Sequence, residues 1–293
     1  MAVKANTTMM AQMANVNPRE IDFVTRFSRN WEALREIYGI MRPIRKTPGT
    51  KLTSYTASVT LQPGTVAEGD EIPYSLAEVE PVAYEDIVLS KYAKAVSVEA
   101  VAKYGAAIAV QKTDEAFLNE LQDVVMDEFY DFLQTGSLTG TESTFQMGLA
   151  MAVGKVRNKF KSIHRDITEV VAFVNILDAY QYLGAAELSI QTLFGMQYIE
   201  NFLGARRVIL SSEIPQGKII ATPVENIDLY YIDPSDADFA ELGLNYTVDG
   251  VTPLIGFHVE GKYSHAVGEC YALMGMKLWA EYLDGIAVIT VSE

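Results

Sequence analysis

The sequence predicts an α+β chain with a helical middle and a mixed second half. Three observations carry that prediction. Alternating apolar and polar residues flank an acidic tip punctuated by Pro and Gly, apolar residues step by three or four from Thr113 toward Gly136, and short alternating elements follow from Thr168.

The elements follow in chain order. Asn17-Pro18-Arg19-Glu20 has the form of a helix start, with Asn as N-cap, Pro at the first helical position and Glu reaching back. Ile21, Val24, Phe27, Trp31, Leu34 and Tyr38 recur at helical spacing, and Gly39 is the expected C-cap. "RPIRKTP" from Arg42 to Pro48 reads as extended, because a residue before proline is pushed out of the helical region. Tyr55, Ala57, Val59 and Leu61 then alternate with Thr56, Ser58, Thr60 and Gln62, which gives a strand with one apolar face. The segment from Val82 to Leu89 is again rich in β-formers, so "LQPGTVAEGDEIP" (61 to 73) joins two strands as a hairpin tip. At roughly 3.3 Å per residue the arm from Lys51 to Leu61 reaches about 36 Å, more than a connection within a compact domain needs. A two-stranded ribbon alone is marginal in water, so something outside its own domain is expected beneath it.

Thr113-Asp114-Glu115 opens a long helix with Leu118, Leu121, Val125, Phe129 and Phe132 on one face, Asp123, Asp127 and Asp131 on another, and Gly136 closing it. A second helix is predicted from Thr144 to Ile163, with Lys155, Arg157, Lys159 and Lys161 toward the end where cations suit the helix dipole. Beyond Thr168 come "VVAFVN" (170 to 175), a short helix from Asp178 to Leu183, another from Tyr198 to Leu203, and "RRVILSS" (206 to 212). Glu213 to Gly217 is a turn, followed by "KIIATP" and "DLYYID". The last forty or so residues are mostly strand, with Asp249-Gly250 and Asp284-Gly285 as hairpin-turn signals. There is no internal repeat and no low-complexity segment.

The chain of 293 residues is 49% hydrophobic and 21% charged, which suits a globular protein with a sizeable core. Its net charge of -15 argues against a general nucleic-acid or acidic-membrane binder. The single cysteine, Cys270, excludes an intramolecular disulfide framework. No apolar run approaches the roughly 18 residues of a membrane helix, and the Met/Ala run at the N-terminus is too brief for a signal-peptide core, so the cytoplasm is the expected compartment. Residues 1 to 51 hold nine Lys/Arg against four Asp/Glu, a net of +5, whereas residues 52 to 90 hold seven Asp/Glu and no Lys/Arg, a net of -7. A basic arm precedes an acidic hairpin, either as two solvated surfaces or as complementary arms of neighbouring subunits.

Catalytic motifs are absent. "GLAMAVGKV" (148 to 156) has the wrong glycine spacing for a phosphate loop and places Val156 where Ser or Thr should hold magnesium. His164, His258, His265 and Cys270 match no zinc spacing. Asp233, Asp236, Asp238 and Glu241 crowd one loop without the central glycine of a calcium loop. There is no nucleophile elbow, no H-E-x-x-H and no dinucleotide turn, so no cofactor and no catalytic or metal residues are expected.

The order of segments resembles the major capsid protein of tailed bacteriophages, the Hong Kong 97-type fold. The resemblance covers essentially the whole chain and rests on the basic arm, the hairpin, "TDEAFLNELQDVVMDEFYDFLQTG", "VVAFVN" with Asp178, and "FLGARRVILSSEIPQGKII" with its Leu203-Gly204, Val208-Ile209 and Pro215-Gln216-Gly217. It implies an N-terminal arm with an amphipathic helix (1–48), an extended hairpin loop (49–96), a peripheral domain with the long spine helix (97–165 and 252–282) and a mixed α/β axial domain (166–251 and 283–293). It further implies a non-enzymatic subunit that assembles into pentamers and hexamers of an icosahedral head, in the virion and, during assembly, in the host cytoplasm. The expected partners are further copies of the chain, a separate scaffolding protein, a portal and loosely contacted double-stranded DNA, with no membrane.

In that setting the tip acids Glu68, Asp70 and Glu71 are expected at a subunit interface with Arg42, Arg45 and Lys46 of another copy. Some members of the family join subunits covalently through a lysine in the extended loop, and residues 52 to 90 contain no lysine, so that chemistry is not carried over. The short tail before Pro18 suggests a separate scaffold or none. Two other readings stay open: an encapsulin-like nanocompartment shell, and an α+β cytosolic enzyme without a recognisable motif.

Overall fold

The computed structural model describes residues 19–28, 41–62, 64–67, 71–167, 169–184, 191–193, 196–224, 226–250 and 253–292. The helix start at Asn17-Pro18, the positions Trp31, Leu34, Tyr38 and Gly39, and the tip residues Glu68 and Asp70 lie outside that set. Residues 19–28 form helix α1, which buries Phe23, Val24 and Phe27 but leaves Ile21 51% exposed. The true stripe includes Phe23 because that ring stacks on Phe257 with centroids 5.3 Å apart, while Phe27 meets the same ring edge-on at 6.4 Å. Glu20 is buried and accepts from Val259 N and Thr247 Oγ1, both at 2.6 Å.

Two sheets and a separate ribbon make up the strand structure. Strands β1 (Arg42–Lys46), β4 (Leu89–Ser97), β11 (Ile227–Ile232), β12 (Thr247–Val248), β13 (Ile255–Lys262) and β14 (Val267–Ala280) form a six-stranded sheet. Its axis is β14, which pairs with β13 and β4 along its first part and with β11 along its last. The second sheet has seven strands in the order β5-β15-β10-β6-β9-β8-β7. These are β5 (Leu138–Glu142), β6 (Val170–Asn175), β7 (Gln191–Leu193), β8 (Met196–Phe202), β9 (Ala205–Ser211), β10 (Lys218–Pro223) and β15 (Ala287–Val291). The ribbon consists of β2 (Lys51–Thr60) and β3 (Leu76–Asp86), paired, among the described residues, only with each other from Lys51↔Asp86 to Thr60↔Leu76.

Helix α2 (Val98–Tyr104) is capped by Ser97 Oγ and buries no residue. It leads through a π-helical turn (Ala107–Lys112) into α3 (Thr113–Gln134), the long helix that the spacing predicted. Thr113 does not cap α3, because its hydroxyl bonds back to the carbonyls of Ala109 and Val110. Leu118, Leu121, Val125, Phe129 and Leu133 are buried, while Asp123, Asp127 and Asp131 face solvent. Leu133 takes the inward position expected of Phe132, which is only partly buried. Gly136 ends the helix at a point where a Cβ would lie 2.6 Å from the Ile286 carbonyl oxygen.

The seven-stranded sheet is covered on both faces, which is why every residue of β6 is buried. Val171 and Phe173 belong to the core under α3, where Phe173 meets Phe129 at 5.5 Å and Tyr130 at 6.0 Å. Val170, Ala172 and Val174 point the other way, into a second core with Leu149, Ala152, Val153, Val156 and Phe160 of α4 (Phe145–Ser162). Thr144 Oγ1 caps α4 by accepting from Met147 N at 3.3 Å. The remaining helices are α5 (Ile176–Leu183) and α6 (Ala237–Glu241).

Four expectations need correction. Residues 198–202 of the segment 198–203 are strand, because Leu203 and Gly204 take φ of +49° and +85° in a two-residue turn that folds β8 back on β9. Asp284-Gly285 makes no hairpin, since β14 and β15 enter different sheets. The second hairpin strand begins at Leu76, while Leu89 starts β4, which pairs with β14 and so lies outside the ribbon although it falls within 49–96. The remaining domain boundaries shift as well. β11 and β12, placed in 166–251, join the six-stranded sheet, and β5 and α4, placed in 97–165, join the seven-stranded one. Long-range strand pairing contributes to two of these memberships, since β11 joins β1 and β5 joins β15 across more than a hundred residues.

Candidate functional site

Among the described residues the ribbon is the feature that its own chain leaves unsupported. Tyr55, Val59 and Val79 share one of its faces, because the register places Val79 opposite Ala57, and each is about 60% exposed (61%, 59% and 63%). Toward the tip Leu61, Ile72 and Tyr74 are 79%, 74% and 91% exposed, and the carboxylate of Glu71 stands in solvent. Fully burying a large apolar side chain is worth about 1.5–3 kcal/mol, so several such residues held in water mark a contact surface.

The basic arm leads into β1, which pairs in parallel with β11. That register sets Arg42 beside Asp228, and the guanidinium holds the carboxylate with both Nε and Nη2, at 3.0 and 3.2 Å. The hydrogen bond and charge of Asp228 hold Arg42 above its ordinary pKa. Arg45 spans Asp233 at 3.1 Å and Asp236 at 3.3 Å. Lys46 sits over the ring of Tyr230, 4.7 Å from its centroid. The three cations expected to meet another copy's hairpin thus have partners in their own chain, up to 191 residues away in sequence.

The same contacts dispose of the acidic loop. Asp233 is buried, accepts from Ser235 N and Oγ at 2.8 and 2.7 Å, and neutralises Arg45; Asp236 Oδ1 caps α6. Among the described residues no group of His, Cys, Asp and Glu is arranged to hold a metal ion. His258 lies 3.5 Å from Glu20, and its strand neighbour Val259 pairs with Cys270. Burial pushes the Cys270 thiol up to about 11, so it stays protonated and unreactive at neutral pH.

Two arrangements escaped sequence reasoning. Asp114 is nearly buried and accepts from Arg19 Nε at 2.6 Å and from Lys94 Nζ, tying α1 and β4 to the start of α3. Beside it a cleft of about 700 Å³ is lined by Arg19, Arg26, Ile108 and Lys112 among others. The second is the outward face of α4, where Met147 and Met151 are 53% and 41% exposed. Their spacing of four on the side away from Leu149 and Val153 is the signal that could have found them.

Comparison with known protein families gives no match, and no curated protein matches the sequence. Solved structures do match. The chain resembles Mycobacterium phage Patience at 9% identity and a TM-score of 0.57, covering 95% of this chain and 89% of that one. It resembles the capsid of the cyanophage P-SCSP1u at 7% identity and 0.56, covering 86% of each. It also resembles the SrpI encapsulin of Synechococcus elongatus at 11% identity and 0.50, covering 99% and 96%. The fold is therefore that of the Hong Kong 97-type shell proteins.

Proposed function

We propose that this chain is the major capsid protein of a tailed bacteriophage and assembles into the pentamers and hexamers of an icosahedral head around double-stranded DNA. The observation that carries the reading is the ribbon: a shell fold that holds an apolar, acidic hairpin clear of its own core has a neighbour's surface to bury it on. In this reading the tip around Glu68, Asp70 and Glu71 is a subunit contact. The six-stranded sheet with α3 is the peripheral domain, and the seven-stranded sheet with α4 and α5 is the axial one. A separate scaffolding protein and a portal complete the assembly in the host cytoplasm. DNA is held loosely, as suits a net charge of -15. The chain works as a building block, with no catalytic step.

Negative-stain microscopy and sedimentation of the expressed protein test this, with closed shells or capsomers as the expected result. Only a 32.4 kDa monomer across protein concentration, salt and added scaffold would overturn it. The likeness to the SrpI encapsulin over nearly the whole chain favours a nanocompartment shell as the second reading. Shells that co-purify with a cargo protein in place of DNA would establish that alternative.

A further inference from the structure

The larger cleft, beside Asp114, carries matched charges. Arg19, Arg26 and Lys112 on its walls meet Asp114, Asp22 and Glu115. A second cavity, of about 300 Å³, is not balanced in this way. It opens where α4 passes the β8–β9 turn and is lined by Arg157, Glu169, Asn201, Gly204 and Arg206 among others. Two guanidiniums share its wall with a single carboxylate, so one positive charge is left over.

Both arginines are held by the fold. Leu203 and Gly204 form the positive-φ turn, and the Gly204 carbonyl accepts from Arg157 Nη2 at 3.1 Å. That acceptor is neutral, so the bond fixes the side chain without cancelling its charge. Arg206 projects from β9 and donates through Nη1 to Glu169, the residue before β6. A guanidinium carries five N–H donors in a fixed fork, so each arginine keeps donors for a further acceptor. Asn201, exposed and with φ of +53°, adds a side-chain amide from β8.

The group that fits is small and has several anionic oxygens. Guanidiniums match phosphate oxygens in bidentate fashion, and here the donors arrive from three elements, α4, β8 and β9, which suits a tetrahedral acceptor. An apolar ligand would instead desolvate two cations without pairing them. The approach is locally basic although the chain carries -15. Lys155, Arg157, Lys159, Lys161 and Arg165 fall in a stretch, 155 to 165, that contains no Asp or Glu, and only Lys159 and Arg165 of these meet carboxylates, those of Asp284 and Glu281, among the described residues. We propose that the cavity between α4 and the β8–β9 turn binds a phosphate group, free or carried by a nucleic-acid backbone, with Arg157 and Arg206 as its ligating residues. The inference goes beyond the shell reading and holds whether a shell of this chain encloses DNA or a cargo protein.

Calorimetry with inorganic phosphate and fluorescence anisotropy of a labelled DNA duplex, both on the full-length chain at low salt, test the site. Arg157→Gln should weaken phosphate binding about tenfold, as the loss of a charge-assisted hydrogen bond does, and Arg206→Gln should do the same. Glu169→Gln should act in the opposite direction, tightening binding about threefold, because it removes the negative charge from the wall and releases Arg206. A merely structural role for these residues predicts no gain in any variant. Lys51→Gln, at the base of the ribbon and outside the cavity, should leave phosphate affinity within about twofold of wild type. Duplex binding that inorganic phosphate displaces, and whose salt slope becomes shallower by about one in Arg157→Gln, identifies the backbone as the source. Phosphate binding without duplex binding identifies a free phosphate species. If thermal melting shows that Arg157→Gln disturbs the turn, the opposed effects of Arg206→Gln and Glu169→Gln decide. No binding of either probe, or equal affinities in wild type and all three cavity variants, would overturn the phosphate site while leaving the shell reading intact. Duplex binding weakened as much by Lys51→Gln as by Arg157→Gln would assign the contact to diffuse charge and overturn it too.

Discussion

The backbone amide of Gly217 donates to Oδ2 of Asp178 across 2.6 Å, joining two short motifs that lie 39 residues apart. The neighbouring Asn175 completes the junction. Its Nδ2 donates to the Ile214 carbonyl at 2.6 Å, and its Oδ1 caps α5 by accepting from Leu177 N at 2.8 Å. Residues that could suggest chemistry in sequence thus serve to fix the β9–β10 turn against α5. A hydrogen bond to a charged group contributes about 1.5–3 kcal/mol, so Asp178→Ala should lower subunit stability by about that amount in urea unfolding. Asp178→Asn keeps an acceptor and should cost less.

The same turn sets a second expectation. Gly217 has φ of +72°, and a Cβ there would lie 3.1 Å from the Val291 carbonyl oxygen, which accepts no strain from a moving side chain because it belongs to the backbone of β15. Gly217→Ala should therefore destabilise the subunit by about 1–2 kcal/mol, since a non-glycine residue meets both the left-handed backbone and the contact. A melting temperature equal to wild type would contradict this.

Phe129 is fully buried between α3 and β6, and Leu121 is 2% exposed. Phe129→Ala should cost about 3–5 kcal/mol, and either Phe129→Asp or Leu121→Asp should yield no folded subunit, because an unpaired buried charge outweighs a marginal total stability. Glu120→Ala, on the exposed side, should stay within about 0.5 kcal/mol. Soluble, assembly-competent Asp variants would show that the helix packs on another face.

How much of this was legible in the sequence differs by element. The ribbon, α3 and α4 show their period locally, because one face of each is apolar within a single continuous stretch of sequence. β8 did not, since Tyr198, Ile199 and Phe202 fit a helical spacing equally well and only the positive-φ turn at Leu203-Gly204 with pairing to β9 makes them strand. The partners of Arg42 and Arg45 were invisible for a different reason. They lie in β11 and the loop after it, about 190 residues away, and reach the arm only through a parallel pairing that no local pattern encodes. The charge asymmetry between arm and hairpin was real in the sequence, and of the arm's described cations Arg19, Arg26, Arg42 and Arg45 hold carboxylates of their own chain.

Asp123, Asp127 and Asp131 stand at intervals of four on the exposed face of α3 with Glu213 nearby. Asp127 is held above the ordinary carboxylate range, by desolvation first and by Glu213, Asp123 and Asp131 after it. The sign follows from the folded state holding that proton more tightly than the unfolded chain. Stability contributed by this group falls as pH rises from the ordinary Asp value through the raised one, and the penalty persists at neutral pH. Like charges four apart on a helix cost about 0.2–0.5 kcal/mol per pair, so Asp127→Asn, which removes two such pairs, should stabilise the subunit by about 0.4–1 kcal/mol at pH 7 and low salt. The gain should fade at low pH, where the Asp127 carboxyl of the wild type is protonated, and shrink in high salt. A gain that persisted unchanged at low pH would point to a packing effect of the amide.

The last prediction separates folding from assembly at the ribbon. Among the described residues β2 and β3 pair with no other strand, and their apolar side chains beyond Leu52 are exposed, so the ribbon lends the two cores little. Replacing residues 56 to 79 by a short Asn-Gly turn should leave the stability of the subunit within about 1 kcal/mol of wild type, as the loss of a marginal two-stranded segment permits. Assembly should fail outright, because the apolar arms that a second copy would cover are gone. Neutralising the tip instead, with Glu68→Gln, Asp70→Gln and Glu71→Gln, keeps those arms and should only slow assembly at low salt. Exposed ion pairs are worth about 0–1 kcal/mol each, but a closed shell repeats them in every copy. Raising the salt should bring wild type down toward the variant, since screening removes an advantage the variant already lacks. Light scattering at two ionic strengths reads this directly. Equal rates at low salt would assign the acidity to keeping free hairpins from pairing edge to edge, and the apolar arms alone would then carry the contact.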